Sequence, residues 1–206
     1  MSAPFVVLHV CMGNICRSPM AERLLALAVR ERVAAAGWST PASYLLHSHG
    51  AGTGGWHVGQ PMNAPASRQL LARGAETTGF AARMLRGEHI ESSDLILTAT
   101  AEQAEQVQLM RPDAADRTFV LGEFGRLLRM VDRSSLPVVA ADADAVCARG
   151  MALVGAVNKA RAGLPPRPGD DLADPYGLDD HYFGRIADQI EATVRPLAAV
   201  LIDSEA

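Results

Sequence analysis

The first 37 residues constrain the fold most, because their pattern predicts a buried strand, a tight loop and a helix in that order. Residues 5–10 form a nearly continuous apolar run, which is typical of a strand that a parallel sheet buries on both faces. Ser18 suits the N-cap of the helix, Pro19 suits its first position, and Gly37 is placed to end it. We therefore predict a strand–loop–helix unit at the start of a parallel sheet.

The same alternation continues along the chain. Further strands are predicted at residues 42–48, 94–98 and 118–121, and helices at 65–73, 101–110 and 179–202. Residues 123–162 are predicted to be mostly helical, and residues 163–170 form a Pro/Gly-rich loop. This order predicts an α/β fold, with a four-stranded parallel sheet and helices on both faces. Ligands of such sheets bind at the carboxyl ends of the strands, where the loop after the first strand lies.

The size and charge of the chain exclude several classes of protein. A chain of 206 residues with a net charge of −4 is expected to form one domain, residues 1–206, and lacks the basic stripe of nucleic-acid-binding proteins. No apolar stretch approaches the ~20 residues of a membrane span, and the start of the chain does not resemble a signal peptide. Three cysteines do not indicate a secreted disulfide framework. We expect a cytoplasmic protein without nucleic-acid or membrane partners.

The loop after the first strand has the composition of an anion site. Five residues separate Cys11 from Arg17, and a loop of this length can curl so that its N–H groups point inward. The N-terminus of the next helix adds partial positive charge, and Arg17 supplies a planar fork that matches two phosphoryl oxygens. A cysteine facing such a site reacts as a thiolate. Gly13 and Asn14 suit the tight backbone. These residues together predict covalent phosphoryl transfer.

Residues 10–19, V-C-M-G-N-I-C-R-S-P, resemble the signature loop of the low-molecular-weight protein-tyrosine phosphatase family, in its bacterial form. Residues 50–56, and residues 74–79 together with Arg83, resemble further family segments. The sequence Asp-Pro-Tyr-Gly at 174–177 is similar to the loop that carries the general acid. The resemblance excludes about residues 127–170, where the chain is longer than typical members. We predict a helical insertion there, of unknown role, directly before the acid loop.

The resemblance implies an enzyme that hydrolyses phosphotyrosine in proteins through a phosphocysteine, without a cofactor or a metal. It makes Cys11 the nucleophile, Arg17 the phosphate-binding residue and Asp174 the general acid and then the base. Trp56 and Tyr176 are expected to enclose an aromatic ring, which would favour phosphotyrosine over phosphoserine. The residues expected to contact the substrate are Met12, Gly13, Asn14, Ile15, Cys16, Ser18, Trp56 and Tyr176.

Three other functions stay open. Arginine phosphatases of the same family resemble this loop but carry threonine in place of Ile15. Related arsenate reductases use two further cysteines in their middle region, and this chain has none between Cys16 and Cys147. A phosphate-binding module without turnover is the third alternative. The oligomeric state is not predicted.

Four residues carry separate expectations. Phe80 stands where many family members have a histidine that braces the signature loop, so the support of the loop is expected to differ here. Cys16 is either a redox partner of Cys11 or a small apolar loop residue. His47 and His49 alternate along one strand, and we expect hydrogen-bonded or surface side chains rather than a metal pair.

Overall fold

A computed structural model describes residues 3–164 and 167–203, so Pro165 and Pro166 of the predicted 163–170 loop lie outside the described residues. The strands are β1 (Phe5–Cys11), β2 (Leu46–Gly52), β3 (Leu95–Thr98) and β4 (Thr118–Val120). The helices are α1 (Arg17–Ala35), α2 (Ala42–Leu45), α3 (Ala64–Ala72), α4 (Gly87–Glu91), α5 (Ala101–Met110), α6 (Leu121–Leu128), α7 (Ala143–Arg161) and α8 (Asp180–Ile202). Short 3₁₀ turns occupy Pro112–Arg117 and Arg133–Ser135.

The four strands form one parallel sheet in the order β2-β1-β3-β4, which confirms the predicted fold. Strand β2 lies on one side of β1, and β3 and β4 lie on its other side. The order of the strands therefore reverses between β1 and β3, and ligand crevices in open parallel sheets lie at such a reversal. The loop that follows Cys11 lies at this position.

Helices cover both faces of the sheet, and the side chains of β1 alternate between two buried cores. Phe5 and Val7 belong to the larger core, which includes α1, α6, α7 and α8. Leu8 and Val10 belong to the smaller core, which α4 and α5 cover. Both faces of β1 are therefore apolar, as the continuous hydrophobic run predicts. None of the helices in the described part of the chain is long and apolar enough to cross a bilayer.

The predicted start of α1 is wrong by two residues. The helix begins at Arg17 with Cys16 at the N-cap position, and no side chain caps it. Ser18 lies inside the first turn because its hydroxyl contacts Cys11 and Asn14 instead of a backbone amide. The predicted end is confirmed, since the helix ends at Ala35 and Gly37 has a φ of +67°.

The predicted second strand is wrong over its first half. Residues Ala42–Leu45 form the short helix α2, and β2 begins only at Leu46. Pro41 precedes α2 with a φ of −61°, and its carbonyl oxygen accepts a hydrogen bond from the amide of Tyr44. A proline-initiated turn therefore replaces the expected extended backbone, because the fixed φ of proline suits the start of a helix.

The segment at about 127–170 contains the predicted helix, α7, which packs against the main core. Its buried residues include Val146, Leu153 and Val157. A Cβ atom on Gly150 would lie 2.5 Å from the ring of Phe5, so the helix approaches the start of β1 closely. The segment therefore contributes to the core. That it is an insertion relative to the family stays a prediction.

Candidate active site

The loop from Cys11 to Arg17 turns its carbonyl oxygens outward. Four of them accept hydrogen bonds from backbone amides outside the loop: Cys11 from Thr53 (2.9 Å), Met12 from Gly54 (2.8 Å), Ile15 from Asn63 (2.9 Å) and Cys16 from Met20 (3.2 Å). In a trans peptide the carbonyl and the following N–H point in opposite directions. The amides that follow these four carbonyls therefore face the inside of the loop, where they can bind an anion.

Cys11 lies at the base of this loop with its thiol held at two points. Its Sγ is 3.0 Å from the Ser18 hydroxyl oxygen, and the amide of Asn14 donates to the same sulfur at 3.3 Å. The residue is 2% exposed. The two hydrogen bonds fix the position of the sulfur at the base of the loop.

Asn14 supports the loop from inside. It is buried, it has the left-handed φ of 53°, and its Nδ2 donates to the Ser18 hydroxyl oxygen at 2.9 Å. Its Oδ1 accepts from the backbone amide of Arg83 at 2.9 Å. Phe80 is partly buried against the core instead. The segment around Arg83 thus braces Asn14 through the main chain, where the family resemblance implies a histidine side chain.

Gly52 lets the loop lie close to the end of β2. It pairs with Cys11 in the sheet register. A Cβ atom at this position would lie 2.7 Å from the Met12 carbonyl oxygen and 2.9 Å from the Asn14 amide nitrogen. Such distances are far below van der Waals contact, so any larger residue here would displace the loop backbone.

Arg17 connects the loop to a distant part of the chain. Its side chain is 4% exposed, its Nη1 donates to the Leu172 carbonyl oxygen at 3.0 Å, and its Nη2 is 3.0 Å from Asp174 Oδ2. The buried Nε has no hydrogen-bond partner among the described residues. One guanidinium therefore aligns the carboxylate of Asp174 with the thiol loop, although more than 150 residues separate them.

The predicted site residues surround one cavity of about 250 Å³. It is lined by Cys11, Met12, Gly13, Ile15, Cys16, Arg17, Trp56, His57, Asp174 and Tyr176. Asn14 and Ser18 lie behind the loop and support it instead of lining the cavity. Trp56 and Tyr176 stand at the mouth with 70% and 59% of their surface exposed.

His57 also lines the cavity, although it was not predicted from the sequence. Its Nδ1 is 2.7 Å from Gln60 Oε1, and its ring centroid lies 6.2 Å from that of Tyr176. The His57 ring lines the cavity near Tyr176, where it can contact a group that enters. Its position directly after Trp56 was the only signal available, and a single histidine in a loop is a weak one.

The two loop cysteines differ in their electrostatic surroundings. Burial, and then the charge of Cys11, raises the pKa of the Cys16 thiol to about 12. Cys16 is therefore a neutral thiol at physiological pH and a poor nucleophile. Cys147 lies on α7, away from the cavity.

His9 of β1 and His49 of β2 are hydrogen-bonded, and His47 of β2 is exposed, as expected for the two β2 histidines. The His49 ring nitrogen Nε2 is 3.2 Å from the Ser93 hydroxyl oxygen, and His47 stacks on His49 with a centroid distance of 5.2 Å. His9 is buried, and its Nε2 is 3.1 Å from the Ser48 hydroxyl oxygen. Residues 3–164 and 167–203 contain no group of three His, Cys, Asp or Glu side chains that could hold a metal ion.

Because His9 is buried, we predict that the free energy of unfolding decreases in mild acid. Burial lowers the pKa of His9 from 6.5 to about 3. In the unfolded chain His9 therefore binds a proton below pH 6.5, whereas in the folded chain it stays neutral down to about pH 3. The free energy of unfolding consequently decreases as the pH falls through this range. At pH 5 the loss from this residue is about 2 kcal/mol, at ~1.4 kcal/mol per pH unit.

Urea unfolding at pH 7 and pH 5 measures this loss. His9→Gln keeps a hydrogen-bonding group near Ser48 but cannot titrate, so its stability should differ less between the two pH values. The exposed His181 offers a matched control, and His181→Gln should keep the wild-type difference. An unchanged pH dependence in His9→Gln would show that other groups cause the acid sensitivity.

Comparisons with known proteins agree with this geometry. The family model "Low molecular weight phosphotyrosine protein phosphatase" matches residues 6–132. The chain is 34% identical to the low molecular weight protein-tyrosine-phosphatase YfkJ of Bacillus subtilis (strain 168) over 104 residues, which are 50% of this chain and 62% of YfkJ. It is 35% identical to a low molecular weight protein-tyrosine-phosphatase of Streptomyces coelicolor over 126 residues, 61% of this chain and 68% of that protein.

The solved structure of the YwlE arginine phosphatase from Geobacillus stearothermophilus superposes with a TM-score of 0.61. The alignment covers 95% of this chain and 91% of that chain at 22% identity, and it shows a shared fold. The shared fold alone does not identify the family, whereas the family model and the sequence relatives do. The chain belongs to the low-molecular-weight protein-tyrosine phosphatase family.

Proposed function

We propose that this chain hydrolyses phosphotyrosine in proteins through a phosphocysteine formed at Cys11. One observation carries the proposal: the Cys11 sulfur lies at the base of a cavity that Arg17 and Asp174 also line, with those two side chains 3.0 Å apart. A nucleophile, a phosphoryl-binding fork and a carboxyl group are the three parts that cleavage of a phosphomonoester requires.

In the first step, the Cys11 thiolate attacks phosphorus and an S–P bond forms. The bond from phosphorus to the tyrosyl oxygen breaks, and Asp174, in its protonated form, gives its proton to that oxygen. The inward amides of the loop and the Arg17 guanidinium stabilise the charge on the equatorial oxygens. A phosphoryl group on Arg17 competes with the carboxylate of Asp174 for the guanidinium, which frees Asp174 to act as an acid.

In the second step, the Asp174 carboxylate accepts a proton from water, and the water oxygen attacks phosphorus. The S–P bond breaks and inorganic phosphate leaves. The Ser18 hydroxyl, 3.0 Å from the sulfur, donates a hydrogen bond to the departing thiolate. Asp174 is thereby protonated again and ready for the next substrate, so the same carboxyl group serves both half-reactions.

The walls of the cavity support an aromatic substrate. Trp56 and Tyr176 present broad ring surfaces at the mouth, and Ile15, 7% exposed, adds an apolar side chain to the lining. Aromatic rings bind other rings by stacking and edge contacts. A phosphoserine side chain is too short to reach the phosphate loop and contact these walls together.

Phosphate release from three peptides tests the proposal. The peptides share their flanking residues and carry phosphotyrosine, phosphoserine or phosphoarginine, and no metal is added. We expect turnover of phosphotyrosine, with kcat/KM roughly 10²-fold above the other two. Trp56→Ala should lower this preference. Tyr44→Ala removes an equally exposed aromatic residue outside the cavity and should not.

Other outcomes contradict the proposal in different ways. Faster release from phosphoarginine would make the chain an arginine phosphatase, which is the activity in the name of the Geobacillus protein. Binding of phosphate without release from any peptide would indicate a binding module instead of an enzyme.

A further inference from the structure

The segment that carries Asp174 belongs to no helix or strand, and its fixed position requires anchors elsewhere. The carboxylate of Asp174 contacts Arg17 and accepts a hydrogen bond from the amide of Tyr176. In the proposed reaction, Arg17 also binds the incoming phosphoryl group. A carboxyl group that must change partners during a reaction needs its backbone held independently. The contacts of residues 167–172 supply that support.

One of these contacts is the ion pair between Arg126 and Asp170. Arg126 on α6 donates through Nε at 3.2 Å and Nη2 at 2.7 Å to the two oxygens of Asp170. The Asp170 side chain is 9% exposed and the Arg126 side chain 18%. The amide of Arg167 donates to the same carboxylate at 3.0 Å. A bidentate and mostly buried pair of this kind fixes both orientation and distance.

The backbone of Asp170 lies directly against helix α6. A Cβ atom on Gly122 of α6 would lie 2.5 Å from the Asp170 carbonyl oxygen. Two residues later the Leu172 amide donates to the Ala99 carbonyl oxygen at 2.8 Å, and the Leu172 carbonyl oxygen accepts from Arg17. Only a short stretch of chain therefore separates Asp170 from Asp174, and both of its ends are held.

The ion pair joins two positions that are far apart in the chain. Arg126 and Asp170 lie at the two ends of the segment at about 127–170, which contains α7. The ion pair closes the base of this segment, at the point where the chain enters the acid loop. The ion pair therefore lies between this segment and the residues that carry Asp174.

We propose that Arg126 and Asp170 are positioning residues, which hold the acid loop so that Asp174 meets the leaving oxygen of the substrate. The proposal rests on the proposed phosphatase reaction. It predicts a particular kinetic pattern, because loss of a well-placed acid slows the expulsion of a poor leaving group much more than that of a good one.

Pre-steady-state release of the leaving group tests this pattern. In Asp170→Asn, release of phenol from phenyl phosphate should fall about 10-fold, since a displacement near 1 Å can cost up to about 10²-fold. Release of nitrophenol from p-nitrophenyl phosphate and the inhibition constant of inorganic phosphate should both change less than about 3-fold. Arg126→Lys keeps the charge without the fork and should show a smaller loss of the same kind.

A double variant shows whether the pair acts through Asp174. Asp170→Asn should cost little in a chain that already carries Asp174→Asn, because the two changes remove the same interaction. Arg111→Ala is the matched control: it removes another bidentate pair, with Asp113 at 2.9 and 3.0 Å, away from the cavity. It should leave both rates unchanged. Equal losses for both substrates, or fully additive losses, would overturn the positioning role.

Hydrogen exchange separates this proposal from the phosphatase reaction. The amides of Leu172 and Tyr176 should exchange faster in Asp170→Asn than in the wild type. The amide of Ala99, which donates a hydrogen bond to the Val10 carbonyl oxygen, should exchange at the same rate in both. An inactive wild type with this exchange pattern would contradict the reaction and leave the anchoring role supported. Unchanged exchange together with unchanged rates would overturn the anchoring role alone.

Discussion

Replacing Cys11 with serine should abolish phosphate release from a phosphotyrosine peptide, with a loss of at least about 10⁴-fold. The change exchanges one atom, and the serine oxygen can still contact the Asn14 amide and the Ser18 hydroxyl that surround the sulfur. The loop should therefore keep its shape. The hydroxyl is a far weaker nucleophile than the thiolate, because almost none of it is ionised at neutral pH.

Steady-state release of inorganic phosphate, with inhibition by added phosphate, measures both parts of this prediction. Cys11→Ser should still bind phosphate while turnover disappears. Cys147→Ser makes the same atomic change on α7, outside the cavity, and should keep wild-type turnover. Turnover by Cys11→Ser within about 10-fold of wild type would rule out a phosphocysteine at this position.

Replacing Arg17 with lysine should lower kcat/KM for the phosphotyrosine peptide by about 10³-fold. Lysine keeps the charge but presents a single ammonium group in place of a planar fork. Arg17 binds the Leu172 carbonyl oxygen and Asp174 with two different nitrogens, and its Nε is buried between loop and core without a partner among the described residues. One ammonium group cannot hold these contacts and two phosphoryl oxygens together.

The same kinetic assay, with phosphate inhibition, distinguishes loss of geometry from loss of charge. Arg17→Lys should raise the inhibition constant of phosphate and lower kcat as well, since the acid loop loses its contact with the guanidinium. Arg30→Lys is the control, because Arg30 lies on the same helix and pairs with Glu76 on the surface. A loss below about 10-fold in Arg17→Lys would mean that positive charge alone is sufficient.

Local patterns were enough to predict the parallel sheet and the thiol loop. The apolar run of β1, the five-residue spacing from Cys11 to Arg17 and the end of α1 before Gly37 depend on neighbouring residues. Local patterns failed where a tertiary contact competed with them. Ser18 is a good cap by type, but its hydroxyl contacts Cys11. The short helix α2 has a local cause instead, since Pro41 initiates a turn where an extended strand was expected.

Contacts between distant residues needed the tertiary structure. The brace of Asn14 is a backbone amide, and any residue type at position 83 other than proline would supply it, so sequence cannot reveal it. The pairing of Arg126 with Asp170 is hidden among many charged residues, since opposite charges carry no information about which of them meet. The sequence by itself therefore determined the order of the four strands and the chemical groups of the loop. Only the tertiary structure decided which carboxylate meets Arg17 and what holds it there, because those choices depend on how the chain packs.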